Sequence, residues 1–292
     1  MHELPVIATT SAAYRLVLRE LPTIFRLSWA MLFIVALVQF LLARTVLAQM
    51  ASALGRGDIL AAAAIGRDPV WLTLKFGADA IGTAIVAVAI HELVLFADHK
   101  PGHYFHLAFG RREALFALLG AMLALIVVPF ATIVISPFGE PTAGLGPFFA
   151  TLAFIVGIYV SVRLWPVLPV IVVNGHIDAL GAWRLTRRRF WSLLALAVLG
   201  SIPIGLVALV IDSVLPPFDS IMDAITGPRV RMPALVDAAN AVRRAQKWLP
   251  ARALFDFTTS IVYTAIAVAL ISYAYKTLIG RRLDEPLSPQ HD

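Results

Sequence analysis

Six apolar runs divide the chain, at about 24–47, 70–96, 113–135, 148–173, 190–215 and 254–279. Each approaches or exceeds the roughly 20 residues that carry an α-helix across a ~30 Å hydrocarbon core. The runs are apolar throughout, whereas barrel strands would alternate at every second residue, which disfavours a transmembrane β-barrel. Composition points the same way, with 60% hydrophobic residues, 14% charged residues and a mean hydropathy of +0.84. The reading is an all-α membrane protein with six transmembrane helices arranged as three hairpins and joined by amphipathic interfacial helices. Residues 1–280 form its single domain, and 281–292 read as a disordered cytoplasmic tail.

The stretches leading into the hairpins look alike. Tyr14-Arg15-Leu16 followed by Arg19, Phe105-His106-Leu107 followed by Arg111, and Trp183-Arg184-Leu185 followed by Arg189 each place an aromatic, a base and a leucine before another arginine. Each leads into an apolar run, which suggests a threefold repeat of one interfacial helix and two crossings. In the first copy Tyr14, Val17, Leu18 and Leu21 make an apolar stripe opposite Arg15 and Arg19. A further interfacial helix is expected at 235–249, lying flat on the membrane, with Leu235, Val242 and Leu249 opposite Asn240, Arg244 and Lys247.

The net charge of +6 comes from bases gathered at the ends of the runs, which suits membrane anchoring better than nucleic-acid binding. Twelve Lys and Arg fall on the side carrying both termini and nine on the other, and the twelve crowd the run ends. The positive-inside rule then places both termini in the cytoplasm of a multi-pass protein of a bacterial inner membrane. The first run reads as an uncleaved signal anchor, too long for a signal-peptide core. Without cysteine the chain cannot form disulfides or Cys-based zinc sites.

Ionisable residues inside the runs are the candidates for function, since each costs ~2.5–3.5 kcal/mol at a helix centre on insertion scales. Those singled out are Lys75, Asp79, Glu92 and Arg163. Lys75 and Asp79 stand i, i+4 and can pair. Arg163 is expected to meet Asp79 or Glu92 inside the bundle, or to snorkel. His91-Glu92 begins like a zinc-protease motif, but that motif needs a second histidine at position 95, which is Leu95. His99, His103 and His106 have ligand-like spacing, yet Pro101 and Gly102 interrupt them, so a solvated loop is expected. Arg184, Arg187, Arg188 and Arg189 form the candidate contact for anionic lipid. No phosphate loop, nucleophile elbow or dinucleotide fingerprint occurs, so no catalytic, metal or cofactor residue is expected.

Arg163, Pro166, Pro169, Asn174-Gly175, Ala179, Trp183 and Leu185-Thr186, followed by a long apolar run, resemble the membrane domain of bacterial glycerophosphodiester phosphodiesterases and related six-helix inner-membrane families. The resemblance implies six crossings with interfacial helices. It implies no phosphodiester cleavage, which in that family belongs to a separate soluble barrel. The expected function is a non-catalytic scaffold or accessory protein that organises lipids or partner proteins. Gly77, Gly82, Gly120, Gly157 and Gly200 would allow close packing with a protein partner or a second copy. The alternative is a transporter of a lipid-like or anionic solute, using Lys75, Asp79, Glu92 and Arg163. Its partners are the bilayer and anionic lipids, with no nucleic acid.

Overall fold

The computed structural model describes residues 4–66, 68–96, 109–122, 146–214, 233–282 and 287, and every regular element among them is helical. In chain order these are α1 (Val6–Arg19), α2 (Leu21–Gly55), α3 (Ile59–Gly66) and α4 (Pro69–Phe96). A helical stretch over residues 111–122, α5, follows. Then come α6 (Gly146–Leu164), α7 (Val167–Asn174), α8 (Ala179–Leu185), α9 (Phe190–Val214) and α10 (Pro233–Leu278). Five helices among the described residues are long and apolar enough to cross a membrane: Leu21–Gly55, Thr73–Phe96, Phe154–Asn174, Phe190–Ser213 and Ala239–Leu278. The run expected at 113–135 is described only to residue 122, and the remainder lies outside the described residues.

Helix is the natural state of these runs, because it pairs backbone polar groups internally where no water can. Hydroxyls inside the bundle follow the same rule. Ser28 and Ser272 donate back to the carbonyls of Ile24 and Val268, at 2.7 and 2.8 Å. Gly57 at φ 79° follows the end of α2, and Asp58 accepts the Ala61 N–H at 2.8 Å, opening α3.

The centre of the bundle is formed by α2, α4 and α10, so the first and last long helices pack together. Small residues set two of the approaches. A Cβ on Gly82 would collide with Val35 of α2, and one on Gly200 of α9 with Leu270 of α10. α1 does more than rest on lipid. Thr9, Ala13 and Val17 are buried against the bundle, while Leu18 of the expected stripe is 72% exposed. Tyr14 Oη donates to the Gly200 carbonyl at 2.7 Å, one turn before Pro203 loosens α9.

The C-terminal third differs from the sequence reading. The flat helix expected at 235–249 and the crossing expected at 254–279 are one 46-residue helix, with Pro250 inside it. At 1.5 Å per residue it is ~69 Å long, more than twice the hydrocarbon thickness. Its apolar face covers protein instead of lipid: Val242 is fully buried with Leu47, Met50, Leu54, Ala62 and Trp71. That cluster, shared with α2, α3 and α4, packs the part of the helix before its proline against the protein. Within the stretch expected to be a disordered tail, the Leu287 N–H donates to the Leu95 carbonyl at 2.8 Å.

Candidate functional site

A cavity of about 310 Å³ lies between α2, α4 and α10, and its polar lining includes Gln39, Lys75, Asp79, Arg252 and Asp256. Helix length sets its depth. Gln39, Asp79 and Asp256 stand 18, 17 and 22 residues from Leu21, Phe96 and Leu278, the helix ends on the side of the chain termini. At 1.5 Å per residue they are ~26 to 33 Å along, a distance close to the ~30 Å thickness of a hydrocarbon layer. Leu32, Val35, Phe40 and Phe257 supply apolar wall beside Thr83, Ser260 and Thr264.

The charges divide into a paired set and an unpaired one. Arg252 donates from Nη1 to Asp212 Oδ1 at 2.5 Å, and from Nε to Asp256 Oδ2 at 3.0 Å, tying α9 to α10. Such charge-assisted contacts satisfy the guanidinium and both carboxylates locally. Asp79 instead accepts from the neutral amide of Gln39 at 2.5 Å. Lys75 Nζ lies 5.4 Å from the centroid of the Trp71 ring and 5.9 Å from that of Phe76. No carboxylate of the described residues comes within 4.0 Å of it, so the i, i+4 pair with Asp79 stays open. One ammonium and one carboxylate therefore face the cavity without a charged partner in contact.

Glu92 and Arg163 lie elsewhere. Glu92 pairs with Arg112 at 3.2 Å near the opposite end of α4, both half-exposed. Its neighbour His91 is a core tie. Ser272 Oγ gives its proton to Val268, so the 2.7 Å contact makes His91 Nδ1 the donor to Ser272, and the ring tilts over Phe116. His99, His103 and His106 lie outside the described residues, and no group of three metal-ligating side chains occurs among the described ones.

Arg163 meets neither Asp79 nor Glu92. It is 6% exposed and donates from Nε to Thr186 Oγ1 at 2.9 Å, from Nη1 to Tyr159 Oη at 3.0 Å and from Nη2 to the Trp183 carbonyl at 2.6 Å. The Trp183 ring covers the guanidinium at 4.2 Å. Most of the residues quoted for the family resemblance form this elbow. Pro166 precedes α7, Gly175 closes it at φ 70°, and Asp178 caps α8 by accepting the Gly181 N–H at 2.7 Å. Beyond the elbow Arg184, Arg187 and Arg188 are exposed and Arg189 is partly buried, a placement that suits headgroup contact.

Gln39, Asp212, Arg252 and Asp256 had no place among the sequence candidates. The available signal was Arg252 and Asp256 at i, i+4, straddling the expected start of the last run at 254. Reading 235–249 as a separate surface helix hid it.

Five long apolar helices, three of them lining a cavity that holds charged groups, define a multi-pass helical membrane protein. No family model, curated protein or solved structure matches the chain.

Proposed function

We propose that the protein holds a lipid-like amphiphile in the cavity between α2, α4 and α10, as the binding step of moving or handling that molecule in the membrane. The observation that carries this reading is Lys75 and Asp79 lining one mostly apolar cavity, neither in contact with a charged partner among the described residues. Half-buried ionised groups with no opposite charge in contact are costly in a membrane, and an amphiphile's polar head offsets that cost while its chain covers the apolar wall. Exposed Arg184, Arg187 and Arg188 would hold the termini side against anionic lipid, in a bacterial inner membrane with both termini cytoplasmic.

Binding of a fluorescent lysophospholipid to the detergent-solubilised protein tests the proposal. Filling the cavity with Ser260→Trp or Ala43→Trp should abolish binding while both variants keep a monodisperse, helical fold. Undiminished binding by both folded variants would remove the cavity from consideration.

A scaffold reading draws on Gly77, Gly120 and Gly157, where an added Cβ would meet open space and a partner helix could settle. Gly82 and Gly200 are already used within the chain. Sedimentation of the purified protein as a lone monomer, with no co-purifying protein, would count against that reading.

A further inference from the structure

We infer that the head of the bound amphiphile is zwitterionic, its cationic group meeting Asp79 and its phosphate or carboxylate meeting Lys75; this rests on the cavity being the solute site proposed above. Two opposite charges on one face of α4, within each other's field but not in contact, set the requirement. Arg252 is occupied by Asp212 and Asp256, so that triad offers no vacant cation. The Lys75 ammonium has the rings of Trp71 and Phe76 beside it, which attract a cation but accept no proton as a carboxylate would. Asp79 takes a single hydrogen bond from an uncharged amide. A carboxylate accepts through about four lone-pair sites and an ammonium donates three protons, so both keep spare capacity.

Lys75 and Asp79 stand four residues apart, ~6 Å along the helix axis, so a compact head bearing both charges can bridge them. A purely anionic head would satisfy Lys75 and leave an acid facing Asp79. A purely cationic head would leave Lys75 repelled. Only the mixed head compensates both groups in a low-dielectric site, where like-charge contact costs most. Phe40, Val35 and Phe257 then receive the apolar chain.

Calorimetric titration with three probes tests this. They are dihexanoyl phosphatidylethanolamine (zwitterionic), dihexanoyl phosphatidylglycerol (anionic) and glycerophosphoethanolamine (zwitterionic without chains). The wild-type protein should prefer the first probe over the second by about tenfold. Asp79→Asn should erase that preference by weakening the zwitterion alone, and Asp79→Glu should retain it. Lys75→Met should weaken both lipids by a similar factor, since both carry phosphate. Equal wild-type affinities for the two lipids, or a preference untouched in a folded Asp79→Asn protein, would overturn the inference. If Ser260→Trp still blocks both lipids in that case, the cavity proposal survives and only the head-group assignment fails. Binding of the chainless probe as tightly as the lipid would overturn the amphiphile and leave a soluble zwitterion.

Discussion

Arg163 makes three hydrogen bonds through one guanidinium while sandwiched against Trp183, and the geometry depends on its planar fork. Removing it leaves the Trp183 carbonyl only the longer 3.2 Å contact from Thr186, takes the donor from Thr186 Oγ1, and empties the space under the Trp183 ring. Arg163→Met should therefore cost about 2–4 kcal/mol of stability, and Arg163→Lys should recover only part of it. Thermal unfolding in a mild detergent reads both, and an unchanged midpoint for Arg163→Met would refute the clasp. Tyr14 acts on a smaller scale. Burial raises its phenol above the ordinary 10.0, and only the neutral phenol can donate to Gly200. Its folded value exceeds its unfolded one, so the contribution is whole below about pH 10 and fades as pH climbs through the raised value. The midpoint difference between wild type and Tyr14→Phe should hold steady from neutral pH and shrink above about pH 10.

Among the elements, the pairing of α9 with α10 is set at Gly200, where Leu270 occupies the place a side chain would take. Because the chain has no cysteine, a Gly200→Cys/Leu270→Cys double variant offers a clean readout. It should form an intramolecular disulfide under mild oxidation, since the Leu270 side chain points at the place a Gly200 Cβ would take. Absence of the cross-link in folded protein would displace α9 from this position. Gly82 is the matching point between α4 and α2, and Gly82→Val should lower stability by about 1–3 kcal/mol through overpacking against Val35. Such a shift would also open the cavity wall, so lipid binding should weaken alongside the unfolding midpoint.

On the scale of the molecule, α2 and α10 both outrun the hydrocarbon layer and meet again beyond it in the cluster around Val242 and Met50. In the proposed bilayer Gly57 and Arg243 then belong to one face, and Arg188 and Arg282 to the other. Single cysteines at Gly57 and Arg243 should react with an impermeant maleimide from the same side of sealed vesicles, and those at Arg188 and Arg282 only from the opposite side. Labelling of Gly57 and Arg282 from one side would break the arrangement.

The helical membrane class is legible in the residues alone, because a long apolar run has few other ways to satisfy its backbone in lipid. The residues also mark the five long apolar helices, the last through its run at 254–279, and locate Lys75 and Asp79 as costly residues requiring an explanation. Tertiary structure alone decided what surrounds them. Periodicity reports which face of a helix is apolar but not whether protein or lipid covers it. For that reason 235–249 read as a surface helix, while its apolar face in fact packs on α2 and α3. The same blindness separated Arg163 from its elbow partners 20 and 23 residues on, and kept Gln39 apart from Asp79, 40 residues away, until the helices packed.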